Sequence, residues 1–253
     1  MKPVAADAVV RLVLMWALVL GLVAVFVKAG LWQRSRAVEK EAQLAAAATV
    51  LAERRALPLV DALADLPAWI ELTGRFDDIP AVRLDNQRRG ARVGVQVYRA
   101  FRTVRGERLW VDLGWRELPA DRVVPEEAPP PEGEQRLRGL LVRSPSAGLA
   151  LGDAASPLPD GGVLALRLEP EVLREAIAAD PRGERAVGPD YAPVLITAAV
   201  LRLDPALPIG YERDLDLLAN TLSPDKHRGY ALQWFGFAAG LLLLSLYLQF
   251  RRP

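Results

Sequence analysis

The segment Tyr230–Phe250, YALQWFGFAAGLLLLSLYLQF, contains no charged residue and runs straight into Arg251 and Arg252. Crossing the hydrocarbon core of a bilayer takes roughly 20 apolar residues at helical rise, so this segment reads as a transmembrane helix. A second run, Leu12–Val27, is free of charge and, after Lys28, continues through Ala29, Gly30, Leu31 and Trp32. A lysine at the rim can lay its stem along lipid and keep its ammonium among the headgroups. No small-x-small cleavage site follows Val27 directly, which argues for an uncleaved anchor rather than a signal peptide. A charge-free run of this length also argues against a buried helix of a soluble protein.

Charge says less about orientation than hydropathy says about the spans. Lys2, Arg11, Arg251 and Arg252 flank the terminal sides, whereas Lys28, Arg34, Arg36, Lys40, Lys226 and Arg228 flank the intervening domain. Counted literally, the positive-inside rule favours a cytoplasmic domain, but long loops translocate largely regardless of their charge. The chain has no cysteine, which excludes disulfides and thiolate metal sites without identifying a compartment. A net charge of +1 leaves no electrostatic footprint for nucleic acid. Only Lys2, Lys28, Lys40 and Lys226 among the 32 basic residues are lysines. That arginine bias reads as a GC-rich coding sequence with solvated surface arginines.

Between the spans, Arg34 to Arg55 lacks Gly and Pro and is rich in Ala, Glu, Arg and Leu, which predicts a helix leaving the membrane and ending before Pro58. Apolar stretches bounded by turn residues then predict strands at Trp69–Phe76, Ala81–Asn86, Val93–Val104, Arg108–Trp115, Gln135–Arg143 and Val163–Glu169. Val93, Val95 and Val97, and again Leu109, Val111 and Leu113, alternate as one buried face of a sheet requires. Arg105, Gly106 and Glu107 form the turn of a hairpin. Prolines exclude regular structure from Pro125–Gly133. A helix is expected at Glu171–Ala179, after Pro170, and a last strand at Pro193–Leu203. The fold class is therefore membrane-anchored α+β, with two transmembrane helices flanking one β-rich, mainly antiparallel domain. The divisions are residues 1–33 for the first anchor, 34–228 for the domain, and 229–253 for the second anchor and a short tail.

Catalytic motifs are absent: there is one histidine, no cysteine, no phosphate loop, no dinucleotide fingerprint and no His-Glu zinc pattern. The adjacent acids Asp77, Asp78 and Glu126, Glu127 sit in a strand-end turn and a proline-rich loop, where solvated surface is the expectation. His227 is the residue with most chemical promise. Ser223 and Pro224 signal a helix start, with a capping hydroxyl and proline at the first helical position. His227 then falls in the first turns, with Tyr230, Ala231 and Trp234 on the same face. The partial positive charge of a helix N-terminus disfavours the imidazolium cation and leaves a nitrogen lone pair for a metal, with aromatic rings placed to flank a planar macrocycle. The competing reading makes His227, Tyr230 and Trp234 an interfacial aromatic belt. Ala17 and Gly21, and Gly236 and Gly240, form small-x-x-x-small patterns that let helix backbones approach, either each other or a partner's helix.

Several of these segments resemble one family. Gly30-Leu-Trp32-Gln33-Arg34-Ser-Arg36, Gly74-Arg-Phe76-Asp77, Leu84-Asp85-Asn86, Gly114-Trp115, Pro130-Pro131-Glu132-Gly133 and His227-Arg-Gly229-Tyr230-Ala231-Leu-Gln233-Trp234-Phe235 are similar, in order and placement, to motifs of the Surfeit-locus (Surf/Shy) cytochrome c oxidase assembly factors. The chain departs from the family pattern at Val111-Asp112-Leu113, where an arginine usually precedes the glycine, and at Lys226, where an asparagine often precedes the histidine. The resemblance implies an assembly factor, not an enzyme, for haem-copper oxidase. It implies haem A binding with His227 as axial iron ligand. Helical spacing sets Tyr230 and Trp234 beside that ligand, and in antiparallel neighbouring spans Trp32 and Gln33, at the outer end of the first, lie at a similar depth. The implied partners are the oxidase catalytic subunit, haem A synthase and membrane lipid. The implied location is a bacterial inner membrane, with cytoplasmic termini and a periplasmic domain. A cofactor-free scaffold for assembly intermediates is the alternative.

Overall fold

No proline interrupts the chain between Val4 and Glu53, and in the computed structural model this stretch is one continuous helix, α1 (Val4–Glu53). Residues 4–145, 154–169, 172, 173, 175, 176, 195–216 and 222–251 are described. A helix of 50 residues is about 75 Å long. It therefore outruns a hydrocarbon layer of roughly 30 Å. Arg54 ends it in the left-handed region (φ 45°), its N–H bonded to Val50 O at 2.8 Å. Its guanidinium is held over the Trp69 ring at 5.0 Å. Pro58 thus does not end the first helix, as the sequence predicted, but caps a short second one, α2 (Leu59–Ala64). The last helix is α3 (Pro224–Phe250). Both long helices pass the length and hydropathy requirements of a membrane span, with mean hydropathy of 2.6 and 1.7 in their most apolar windows.

The chain divides into two compact units, Met1–Ala45 with Thr221–Pro253, and Ala46–Asn220. The second holds the strands β1 (Ala68–Phe76), β2 (Val82–Arg89), β3 (Arg92–Thr103), β4 (Arg108–Glu117), β5 (Gln135–Arg143), β6 (Ala155–Pro157), β7 (Val163–Ala165) and β8 (Leu195–Leu203). Their order is β1-β5-β8-β4-β3-β2-β7-β6, with a further β1–β3 pairing. That pairing closes β1, β5, β8, β4 and β3 into a five-stranded Greek-key barrel, the class of architecture that includes the OB-fold. β3 is long enough to serve two neighbours along one edge. Its Arg92–Tyr98 part pairs with β2, and Phe101–Thr103 pairs with Gly74–Phe76 of β1. The pairings are mainly antiparallel; β4–β8 and β2–β7 are parallel.

The alternating residues fill the barrel as their period requires. Val95, Val97, Phe101, Leu109, Val111 and Leu137 belong to its interior. A second core, with Val82, Tyr98, Trp110, Val163, Leu173 and Val200, lies on the opposite face of these strands. The predicted Arg105–Glu107 turn is present, with Gly106 at φ 93° and Thr103 N–H bonded to Glu107 O at 2.9 Å.

Two strand expectations are corrected, and of the expected last strand Pro193 and Val194 lie outside the described residues. β2 does not stop at Asn86: that residue takes φ 57° in a one-residue bulge between Leu84 and Gln87, and the strand resumes to Arg89. β7 covers only Val163–Ala165 of the expected Val163–Glu169, because its parallel partner β2 bulges directly after Leu84. The described part of the last strand begins at Leu195. The expected helix Glu171–Ala179 lies largely outside the described residues; Val172, Leu173, Glu175 and Ala176 are helical.

Gly114, at φ 115°, follows a bulge on β4 in which Asp112 pairs with Tyr98 and Gly114 with Val97. Trp115 beside it is 2% exposed, donates Nε1–H to Gln87 O at 3.1 Å and lies under the Arg92 guanidinium at 4.8 Å. Trp115→Ala is expected to cost about 3–5 kcal/mol through the cavity left by the ring. The drop in thermal midpoint of the detergent-solubilised protein measures it.

Candidate functional site

The site residues named from the sequence lie on α1 and α3, within one unit. Ser223 caps α3 by accepting from the Lys226 N–H at 3.4 Å, and its carbonyl accepts from the His227 N–H at 3.2 Å. With Pro224 at the first helical position, this cap fixes the turn that carries His227. The inward residues of α3, His227, Ala231 and Ala238, recur at the three-four spacing with which two helices interlock. On α1 the matching seam contains Val19, Gly30 and Ala37. The two run antiparallel: Gly30 lies against Phe235, where an added Cβ would be 2.7 Å from the ring, and Trp16 Nε1–H donates to Gln249 Oε1 at 2.6 Å.

His227 is 7% exposed, and its Nδ1 lies 2.6 Å from Gln33 Oε1. An amide oxygen only accepts, so Nδ1 is the donor in this contact and Nε2 is the ring nitrogen left for another partner. Histidines that ligate metals are oriented in this way, by a hydrogen bond from the other ring nitrogen. The structure therefore joins two of the five named residues directly. Trp234 packs into the helix pair, with its ring 5.7 Å from Phe26 and 6.0 Å from Phe237. Trp32 and Tyr230 point outward, 57% and 42% exposed. Arg228 next to the histidine is ion-paired with Glu41 of α1 and with Asp225.

The small-residue patterns do not meet across the pair. A Cβ at Gly21, Gly236 or Gly240 would touch nothing within 4 Å, so these glycines face outward. Gly30 makes the close approach instead, and sequence reading missed it because no second small residue stands four positions away.

The β-rich unit holds a second polar constellation that reverses the surface reading for one acid of each pair, Asp77 and Glu127, whereas Asp78 and Glu126 are exposed. Asp77 is buried, 2.7 Å from the Arg102 guanidinium and 2.9 Å from that of Arg108. Glu127 is also buried, between Arg83 at 3.6 Å, Arg116 at 3.4 Å and the Tyr211 hydroxyl, which donates to it at 2.8 Å. Asp160 receives both terminal nitrogens of Arg83. Burial, followed by the bond to Glu127, pushes the Tyr211 hydroxyl above its usual range. Burial likewise holds the Arg99 guanidinium below the usual arginine range. Arg83, Arg99 and Arg108 are thus core residues, not solvated ones. Each follows an alternating pattern that puts it on a buried face, a signal composition alone cannot carry. Asp112, raised by burial, accepts from Gln96 at 2.5 Å and from the Gly114 N–H at 2.9 Å. Among the described residues no three His, Asp or Glu side chains gather to hold a metal ion.

None of the curated proteins matches this chain. The SURF1 family model matches residues 20–239 and so spans the exit of the first membrane helix, the β-rich unit and the His227 end of the second. With that match laid over two apolar helices flanking a β-rich domain, the chain belongs to the SURF1 family, the Surfeit-locus family of cytochrome c oxidase assembly factors.

Proposed function

We propose that this assembly factor binds haem A as cargo through His227 and assists its insertion into the oxidase catalytic subunit. The observation that carries the reading is the 2.6 Å contact between His227 Nδ1 and Gln33 Oε1. It supports a ring held in one orientation by Gln33, with Nε2 as the iron ligand. The donor set fits haem, whose iron accepts one axial imidazole. Trp32 and Tyr230 supply exposed rings at the same end of the helix pair, and Trp234 stiffens the turn below them. Haem A is too apolar to cross water freely, so a site opening sideways into lipid suits transfer from haem A synthase to the oxidase. The bound iron supplies the coordination bond; the protein supplies orientation and shelter.

In this reading the chain is not an enzyme, and its partners are haem A synthase, the oxidase catalytic subunit and membrane lipid. It sits in a bacterial inner membrane with both termini cytoplasmic and the β-rich unit periplasmic. A reporter inserted in the Gly106 turn is expected to be active only in its periplasmic form; cytoplasmic activity there reverses the orientation. Protein purified from cells that make haem A is expected to carry a haem absorption spectrum. A spectrum-free protein that still co-purifies with oxidase subunits contradicts the carrier reading. It would favour the cofactor-free scaffold, which the outward-facing Gly236 and Gly240 support as a surface for a partner's helix.

A further inference from the structure

Among the described residues, the constellation around Glu127 does not balance its charge. Arg83, Arg99 and Arg116 bring three guanidinium groups, against the carboxylates of Glu127 and Asp160. Arg83 takes Asp160 with both terminal nitrogens and shares Glu127 with Arg116. Arg116 is further occupied by the carbonyl of Glu126 at 2.6 Å and by the Tyr211 ring beneath it at 4.9 Å.

Arg99 is the remainder. It is 9% exposed, between Val97 and Phe101 on β3, and its guanidinium makes one hydrogen bond, from Nη2 to Ala128 O at 3.2 Å. Its Nε is buried without a partner, and no carboxylate lies within ion-pair distance of it among the described residues. Buried charges in folded proteins are paired, and a guanidinium presents a planar fork whose strongest partners are carboxylates and phosphates. The segment that covers it, Pro125–Ala128, belongs to the irregular stretch between β4 and β5, the kind of element that carries ligands over a rigid scaffold.

We propose that Arg99, flanked by Arg83 and Arg116 under the Pro125–Ala128 segment, is a binding site for one small oxyanion of the carboxylate or phosphate type. The anion completes the charge of the cluster and takes the unused donor edge of Arg99. The site belongs to the β-rich unit and is independent of haem binding at His227.

Full-length protein in detergent, in chloride buffer of constant ionic strength, is titrated with inorganic phosphate and, separately, with acetate. Calorimetry and the thermal midpoint are followed. Saturable binding of either anion is expected, with a midpoint rise of several degrees; which anion saturates identifies the source as phosphate or carboxylate. Arg99→Gln is expected to weaken binding at least tenfold, whereas Arg136→Gln, at an exposed arginine of β5, leaves it unchanged. Arg99→Leu removes a buried, unpaired charge, so its anion-free midpoint is expected to rise and its anion response to vanish. If Arg99→Gln does not accumulate, Arg99→Lys keeps the charge but loses the fork and is expected to bind more weakly. The proposal is overturned if neither anion saturates, or if the Arg99 variants bind as wild type does.

Discussion

Gly74→Val is expected to leave no folded β-rich unit. Gly74 is the residue at which β1 changes neighbours, facing Thr103 of β3 on one side and Gln135 of β5 on the other. A Cβ there would stand 2.0 Å from the Arg102 carbonyl oxygen and 2.8 Å from the Thr103 Cα. Those atoms are backbone of β3, which is fixed along its other edge by nine register pairs with β4 and cannot retreat without opening them. A valine therefore forces the barrel apart at its closing joint, a loss of more than about 5 kcal/mol, above the range expected at Trp115. Gly106→Ala is the control. A Cβ at Gly106 meets nothing within 4 Å, and its φ of 93° adds only backbone strain, about 1–2 kcal/mol. Limited proteolysis of the membrane-inserted protein separates the two: rapid loss of the whole unit for Gly74→Val, a near wild-type pattern for Gly106→Ala. Equal resistance would show that the β1–β3 joint does not hold the barrel shut.

That joint also marks the limit of what could be read from the chain. The strands β3, β4 and β5 were legible within a residue or two, because period-two alternation and the Gly106 turn are local signals. The closure of β1 on β3 is not local. It joins residues near position 75 to residues near 102, and no pattern in either strand names its partner. Asn86 shows a similar limit: a residue that tolerates positive φ ends a strand in one context and bulges it in another. The buried acids were misread for a related reason. Asp77 and Glu127 sit among turn and proline residues that imply solvent, yet Arg102 and Arg108 reach the first, and Arg83 and Arg116 the second, from strands whose pairing no local pattern gives.

The helix pair was more readable, and geometry decides between the two alternatives left open for its small residues. His227, Ala231 and Trp234 share a face at three-four spacing, and the structure keeps all three on the seam with α1. Gly236 and Gly240 lie nine and thirteen residues beyond His227. At about 100° per residue this puts them roughly opposite it, so they were bound to face away from α1. Gln33, expected at a similar depth to His227 in antiparallel spans, lies with its Oε1 2.6 Å from the His227 Nδ1.

The central claim is that His227 holds haem iron through Nε2 while Gln33 holds its ring in one orientation. The variant His227→Ala carries the largest functional effect. Removing the imidazole deletes the only histidine in the chain, so no neighbouring histidine can substitute. Membrane insertion rests on the apolar spans and should be unaffected. Gln33→Leu keeps the ligand but frees the ring, and loss of such an orienting bond typically weakens metal affinity by roughly 10–100-fold. Trp234→Leu weakens retention through lost ring packing without removing ligation. The decisive measurement is the haem absorption of each protein, purified from cells making haem A and normalised to protein content. No haem band is expected for His227→Ala, with partial restoration by added imidazole, and an intermediate band is expected for Gln33→Leu. A His227→Ala protein with wild-type haem content, maturing oxidase at the wild-type rate, would contradict it.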